Sequence, residues 1–315
     1  MLHAAFATLD RHGTRVLAAS LPIGLLWQDL AAALRPAVTP IAVSAMLLTL
    51  ARMDWGLIGV QMRRPGRVAA VLAWVLVGAP LLVYAVSAPL LPAGAPLLSG
   101  LMLNATAPPI FSAPAYALIV GIDPVPAVIA GVLGNAFAPF TAPAILAGLG
   151  LDAVRVDEGT LLLRLLAIVV VAIGGAWAVK RALGPVRIER HGTALGALVV
   201  LLIAAFGIGL MDGVMGHLMA EPGLVVGYIA AAFALNIGLQ VVGALHLWRR
   251  ERGEALVLAL VSGNRNMSMM TAAVIDVAGP DVVLFLVCTQ FPLYYMPLLM
   301  RPVFLRLGRG HRPGS

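Results

Sequence analysis

Long apolar runs, punctuated by Pro, Gly and short clusters of charge, order nearly the whole of the 315-residue chain. Crossing the hydrocarbon core of a bilayer takes about 20 apolar residues in a helix. Read at that length, the pattern predicts ten spans: 15–34, 37–52, 67–91, 94–121, 124–149, 159–182, 194–219, 222–247, 254–278 and 281–304. Gly and Pro fall inside many of them, which membrane helices tolerate when neighbours satisfy the freed backbone groups. Between the second and third spans, the stretch from Met53 to Pro65 is too polar to cross. Trp55, Leu57, Ile58 and Met62 beside Arg63 and Arg64 predict a short interfacial helix there.

The two halves of this pattern echo one another. Span four is interrupted at Ala107-Pro108-Pro109 and span nine at Gly263-Asn264-Arg265-Asn266. Spans five and ten follow Asp123-Pro124 and Pro280-Asp281, and each carries a late proline, Pro143 or Pro297. The first break lies 34 or 35 residues before Pro143, and Asn264 lies 33 before Pro297. Five helices repeated in the same order must insert with opposite orientations. The expected fold is therefore an all-α membrane protein: ten transmembrane helices as two inverted five-helix repeats, 1–150 and 151–315, with helices 4 and 9 broken. A pair of interrupted spans at matching places in two halves is the sequence pointer to a transporter's binding site.

Composition agrees and narrows the class. Hydrophobic residues make up 61% and charged residues 11%, with a mean hydropathy of +0.98, against roughly 25% charged in soluble domains. A water-soluble globular fold is thereby excluded. Cys288 is the single cysteine, so no intrachain disulfide or thiolate cluster can form. The net charge of +7 comes from 20 Arg and Lys180 against 14 acids, and in such a chain it reads as topology rather than nucleic-acid affinity. With the N-terminus, the even connections and the C-terminus on one face, 17 basic residues lie there; Arg35, Arg155 and Arg164 lie opposite, and Arg265 sits inside a span. The positive-inside rule then puts both termini in the cytoplasm, most simply at a bacterial inner membrane. Met1 to Asp10 lacks the order of a cleaved signal, so the run from Val16 is expected to be a retained first helix.

Candidate chemistry concentrates at the two breaks. In the first, Pro108, Pro109 and Pro114 remove amide donors and disfavour helix before them. The carbonyls this frees can face a ligand, with Asn104, Thr106 and Ser112 as side-chain partners. The second break, Ser262 to Ser268, is the most polar stretch inside any span. Arg in mid-membrane costs about 2.5–3.5 kcal/mol on insertion scales, so Arg265 must face protein or water. Three roles stand open for it: fork-like partner of a substrate carboxylate or sulfonate, stand-in for a bound cation, or partner of an acid on another helix such as Asp29 or Asp212, since Asp276 lies about 16 Å away along a continuous helix. Asn266 and Ser268 begin the second half-helix, whose positive end would aim at the same point. Asn135, Thr141 and Gln290 lie on elements flanking the breaks; Asn135 and Thr141, with Ser262 and Asn264, are the candidates for a coupling ion. Asn236 and Gln240, four apart on span eight, read as interhelical hydrogen bonds. The six histidines fall at ends and loops, which argues against a metal site or proton relay inside the bilayer.

These residues resemble the bile acid:sodium symporter family, within the broader bile-acid, arsenite and auxin carrier fold. The resemblance runs over nearly the whole chain. It rests on Leu-Leu-Thr-Leu-Ala-Arg-Met-Asp-Trp55 with Arg-Arg-Pro65, the Pro-Pro break before Gly-Ile-Asp123, Ala-Pro139, and Gly-Asn-Arg-Asn266. It implies a panel domain from helices 1, 2, 6 and 7 and a core domain from helices 3–5 and 8–10, with broken helices that cross beside an interdomain cleft. It also implies Na+ as coupling ion, and here the chain departs. Where sodium-coupled relatives carry a glutamate before the second break, Val261 or Ser262 stands; where they follow with a glutamine, Arg265 stands. Ala113-Pro114 replaces a Ser-Asn pair, Val75 a glutamine on the third span, and Asn135 falls near a cation-binding threonine.

The expected function is secondary active transport of a small organic anion by alternating access, with the bilayer and that anion as partners. No cofactor beyond possible Na+, no nucleic acid and no obligate protein partner is implied. A sodium-independent or proton-linked carrier, or a channel, is the alternative on the same fold. An enzyme is disfavoured because no intramembrane nucleophile–base pair stands out.

Overall fold

The computed structural model describes residues 6, 8–9, 12–53, 56, 65–92, 94–114, 117, 123–150, 157–247 and 251–308. The interfacial helix expected between Met53 and Pro65 lies outside them apart from Gly56, as does Arg155. Among the described residues every regular element is helical, apart from one isolated β-bridge. Seven helices are long and apolar enough to cross a membrane: Gln28–Arg52, Pro65–Ser87, Val125–Gly148, Glu158–Arg190, Gly192–Ala220, Pro222–Leu247 and Pro280–Leu307. Large apolar side chains such as Leu26, Leu163, Val170 and Trp177 are more than half exposed, as a lipid-facing surface requires.

The first two predicted spans are divided differently from the expectation. Helix α1, Gly13–Leu26, is only 14 residues long, about 21 Å at 1.5 Å per residue. Helix α2, Gln28–Leu34, runs through a 3-10 turn at Arg35–Ala37 into α3, Val38–Arg52. The boundary thus falls at Trp27, not at Arg35-Pro36. Pro36 sits in the first turn of its element, where a missing amide costs nothing. Gln28 is what ends α1. Its side-chain nitrogen donates to the carbonyls of Gly24 and Leu25, both at 3.0 Å, and of Met211 at 3.1 Å. Its oxygen accepts from the Gly213 amide at 2.9 Å. The orphan carbonyls at the helix end are thereby satisfied by a side chain.

The third predicted span is α4, Pro65–Ala73, then a π turn at Trp74–Gly78, then α5, Ala79–Ser87. The fourth and ninth are interrupted where expected. Helix α6, Pro96–Thr106, stops at Ala107, which is extended. Helix α12, Arg252–Gly263, and α13, Met267–Val274, are separated by three non-helical residues. Between them in sequence lie α7, Val125–Gly148, α8, Glu158–Arg190, α9, Gly192–Leu210, α10, Val214–Ala220, and α11, Pro222–Leu247. The chain closes with α14, Pro280–Cys288, and α15, Gln290–Gly308.

Asp157 caps α8 by accepting from the Thr160 amide at 2.9 Å, and that bond holds its carboxyl below the ordinary range. Near its other end α8 changes course at Gly184, whose φ of 72° precedes Pro185. No residue with a Cβ adopts that conformation cheaply. Helices α1, α2, α3, α8 and α9 pack on one another, and α6, α11, α12 and α14 form a second group; α7 packs on α8 as well as on α12 and α6. Of the broken helices, α6 and α12 belong to the second group, whereas α13 packs on α8 and α3 of the first as well as on α14.

Replacing Gln28 by Glu keeps an acceptor for Gly213 but removes the donor that serves three carbonyls. The expected cost is about 1–3 kcal/mol, read as a lower unfolding midpoint in detergent. An unchanged midpoint would show that water replaces the amide.

Candidate functional site: the crossing of two broken helices

The first break follows from Thr106-Ala107-Pro108-Pro109. Each proline biases its predecessor out of the helix and offers no amide. Three consecutive carbonyls, of Ala107, Pro108 and Pro109, thereby lose helical partners. The second break supplies the donors. The Asn266 amide donates to Pro108 O at 2.6 Å, and the Ile110 amide, the first available after the two prolines, donates to Asn264 O at 2.9 Å. The result is an antiparallel bridge between Pro109 and Arg265. Two broken helices cross there, and each break satisfies the other's backbone.

Side chains from neighbouring helices complete the set. On α7, Asn135 donates to Pro109 O at 2.9 Å and to Gly131 O at 2.6 Å, and it accepts from Asn266 Nδ2 at 2.7 Å. The Asn266 oxygen in turn accepts from the Ser268 hydroxyl at 2.8 Å and the Met269 amide at 3.3 Å, so Asn266 caps α13. Gly134, one residue before Asn135, lets the break approach α7. A Cβ there would stand 2.8 Å from the Pro109 ring, a distance a rigid ring cannot yield. From α11, Asn236 donates to Gly263 O at 2.7 Å and accepts from Gln240 at 2.6 Å. This pair does more than join two helices, because it caps the last carbonyl before the second break.

Arg265 lies at the centre, 1% exposed. Its Nη1 donates to Val75 O at 2.9 Å and to Ala107 O at 3.2 Å. The Val75 carbonyl is free for a definable reason. In the π turn the Ala79 amide bonds Trp74 O, five residues back, and the next donor in that register would be Pro80, which has none. One nitrogen of Arg265 therefore ties the third span to the first break. Nε and Nη2 are buried with no partner.

Among the described residues no carboxylate lies within ion-pair distance of Arg265. Among the described residues the ion pairs are those of Arg67 with Glu254 at 2.6 Å and Glu251 at 4.0 Å. Asp29 and Asp276 are exposed and Asp212 is half-buried, so the acid-partner role for Arg265 is excluded.

Other expected residues divide. Pro108, Pro109, Asn264 and Asn266 form the crossing, with Ser268 next to it. Asn104 and Thr106 are buried on α6, but the Thr106 hydroxyl returns to Met102 O and Leu103 O. Ser112 is half-buried. Ser262 is fully engaged, accepting from Trp74 Nε1 at 2.8 Å and donating to Leu258 O at 2.6 Å. Asn264 donates to Leu260 O at 3.0 Å, while its oxygen has no partner. Gln290 is fully buried with both amide atoms unpartnered. Thr141 is not drawn into this group: it returns to Phe137 O at 3.3 Å, beside the half-exposed Phe137 and Phe140. Among the described residues no cluster of three or more His, Cys, Asp or Glu could hold a metal ion.

Sequence reasoning missed Trp74, which bonds Ser262 and stacks on His246 at 5.3 Å between ring centroids. It also missed the π turn; the placement of Pro80 six residues after Trp74 was the available signal. No protein-family model matches the chain, and no curated protein matches it.

Asn135→Ala would strand Pro109 O and Asn266 Nδ2 in a buried site, at a combined cost of about 2–4 kcal/mol. Thr141→Ala, by contrast, should stay within about 0.5 kcal/mol of the parent. Equal effects of the two on thermal unfolding would contradict the network.

Proposed function

We propose that this protein is an integral membrane carrier of a small organic anion, a carboxylate or sulfonate, moved by alternating access. The single observation that carries the reading is the buried, unpartnered edge of Arg265. A buried guanidinium with no acid beside it keeps Nε and Nη2 unpaired. That edge offers two parallel donors to a planar anion, the strongest geometry an arginine can present. Leaving charged donors unpaired and buried costs more than the about 1–3 kcal/mol of neutral ones, so an arriving anion gains what the empty site forgoes. The reading also takes the ten spans as two inverted five-helix repeats, cytoplasmic termini and an inner-membrane location, in line with the charge count and with the resemblance to bile acid:sodium symporters.

Sodium coupling is the part of that resemblance we set aside. The Asn135 oxygen is taken by Asn266, the Asn266 oxygen by Ser268 and Met269, and Ser262 by Trp74. Asn264 Oδ1 is the one oxygen of the coupling-ion candidates at the crossing left without a partner. A fixed cation stands in the same break, and Coulomb repulsion in a low-dielectric cleft is poorly screened. The carrier we propose is therefore sodium-independent.

The test is thermal unfolding of the purified protein with 4-methylpentanoate, benzoate or benzenesulfonate, each as its sodium and its choline salt. An anion at 100 times its Kd stabilises by about 2.7 kcal/mol. The expected result is stabilisation by at least one anion, equal for the two cations, lost in Arg265→Gln and partly kept in Arg265→Lys. Stabilisation that follows sodium and ignores Arg265 would sink the proposal.

A further inference from the structure

A second polar site lies away from the crossing, where the two helix groups meet. A cavity of about 260 Å3 is lined by Arg35, Asp212 and His217 from the 3-10 turn and the α9–α10 corner, and by Ile275, Leu284 and Val287 from beyond α13 and from α14. Arg35 and Asp212 are both half-buried. Two opposite charges lining one cavity would ordinarily close on each other, yet among the described residues neither forms an ion pair.

We infer that this cavity binds a small zwitterion with an aliphatic body, its carboxylate on Arg35 and its ammonium on Asp212. A plain anion would satisfy Arg35 but leave Asp212 unpaired and repelled, and a plain cation would do the converse. A zwitterion satisfies both, and charge-assisted bonds of this kind are the strong ones. The aliphatic wall of Ile275, Leu284 and Val287 requires an apolar body, and a volume just under the about 300 Å3 that opens the usual ligand range limits it to the size of one amino acid. His217 adds a ring nitrogen at the exposed rim.

The site is mechanically tied to the crossing. Its wall at Ile275 follows directly on α13, whose last carbonyls are held from the first helix group. Thr39 donates to Ala272 O at 3.4 Å and Arg164 to Ala273 O at 3.2 Å. The same α13 is capped by Asn266, inside the break. A ligand bridging Arg35 and Asp212 to Leu284 therefore spans the seam between the two helix groups, beside the end of the half-helix. This inference goes beyond the carrier reading: it adds a second ligand at a site of its own and leaves the transported anion of that reading on Arg265.

Leucine, 4-methylpentanoate and leucine methyl ester share one aliphatic body and carry both charges, the carboxylate alone and the ammonium alone. Thermal unfolding of the full chain in each, at matched ionic strength, gives the apparent affinities. Leucine is expected to bind about tenfold tighter than either partner compound, one added charge pair corresponding to about 1.4 kcal/mol. Asp212→Asn should erase its advantage over 4-methylpentanoate, and Arg35→Gln its advantage over the ester. Asp212→Asn is isosteric and Arg35→Gln shortens a half-buried side chain that makes no ion pair, so the variants should still unfold cooperatively. Equal binding of leucine and 4-methylpentanoate, or no shift with any of the three, overturns the inference. A shift with 4-methylpentanoate that needs Arg265 but neither Arg35 nor Asp212 also overturns it, and leaves the carrier reading standing. That reading fails separately, when no anion response depends on Arg265.

Discussion

A backbone amide or carbonyl left unpaired in hydrocarbon costs several kcal/mol, and this constraint dictates the centre of the molecule. Two helical segments are broken, at Ala107 and at Asn264–Asn266, and the groups that the breaks release are buried. Ala107, Pro108 and Pro109 present three carbonyls in succession; Arg265, Asn266 and Asn135 take them one each. Gly263 O goes to Asn236 and Asn264 O to Ile110. The asparagines at 135, 236, 264 and 266 are placed where the backbone needs them, which explains why so apolar a chain keeps them.

Arg265 does not fit that pattern completely. Its Nη1 behaves like the asparagines, joining the third span to the first break through a carbonyl that Pro80 leaves free. The rest of the guanidinium is surplus to the backbone accounting. Insertion of an arginine at about 2.5–3.5 kcal/mol is a high cost for two carbonyl bonds that a neutral amide would also make. Under the proposed reading the surplus is the binding group: one nitrogen is held by two carbonyls while the opposite edge is buried without a partner. A guanidinium fixed in this way meets its ordering cost before a ligand arrives.

Much of this was legible in the chain. The breaks at Pro108-Pro109 and Gly263–Asn266 could be located because proline and an intramembrane arginine break rules that hold everywhere else in the spans. That they meet was implied by the echo between halves and by resemblance, not by any single residue. What escaped depended on partners distant in sequence. Gln28 ends α1 with help from Met211 and Gly213, some 183 and 185 residues away, so the first boundary was set at Arg35-Pro36 instead. Asn135 and Thr141 looked alike as polar residues six apart, yet only Asn135 faces the break, because its helix turns Phe137 and Phe140 outward. The freed Val75 carbonyl required the π register, which hydropathy does not encode.

The account stands or falls on the paired breaks. Amide hydrogen exchange resolved at Ile110 and Asn266, in the full protein in a bilayer, measures that pairing directly, since exchange reports the opening of individual hydrogen bonds. Although neither residue is helical, both amides should exchange as slowly as those inside α7 and α12, and both should speed up together in Asn135→Ala. Fast exchange of the two amides in the parent protein, as expected of independent loops, would contradict the crossing and with it the site built upon it.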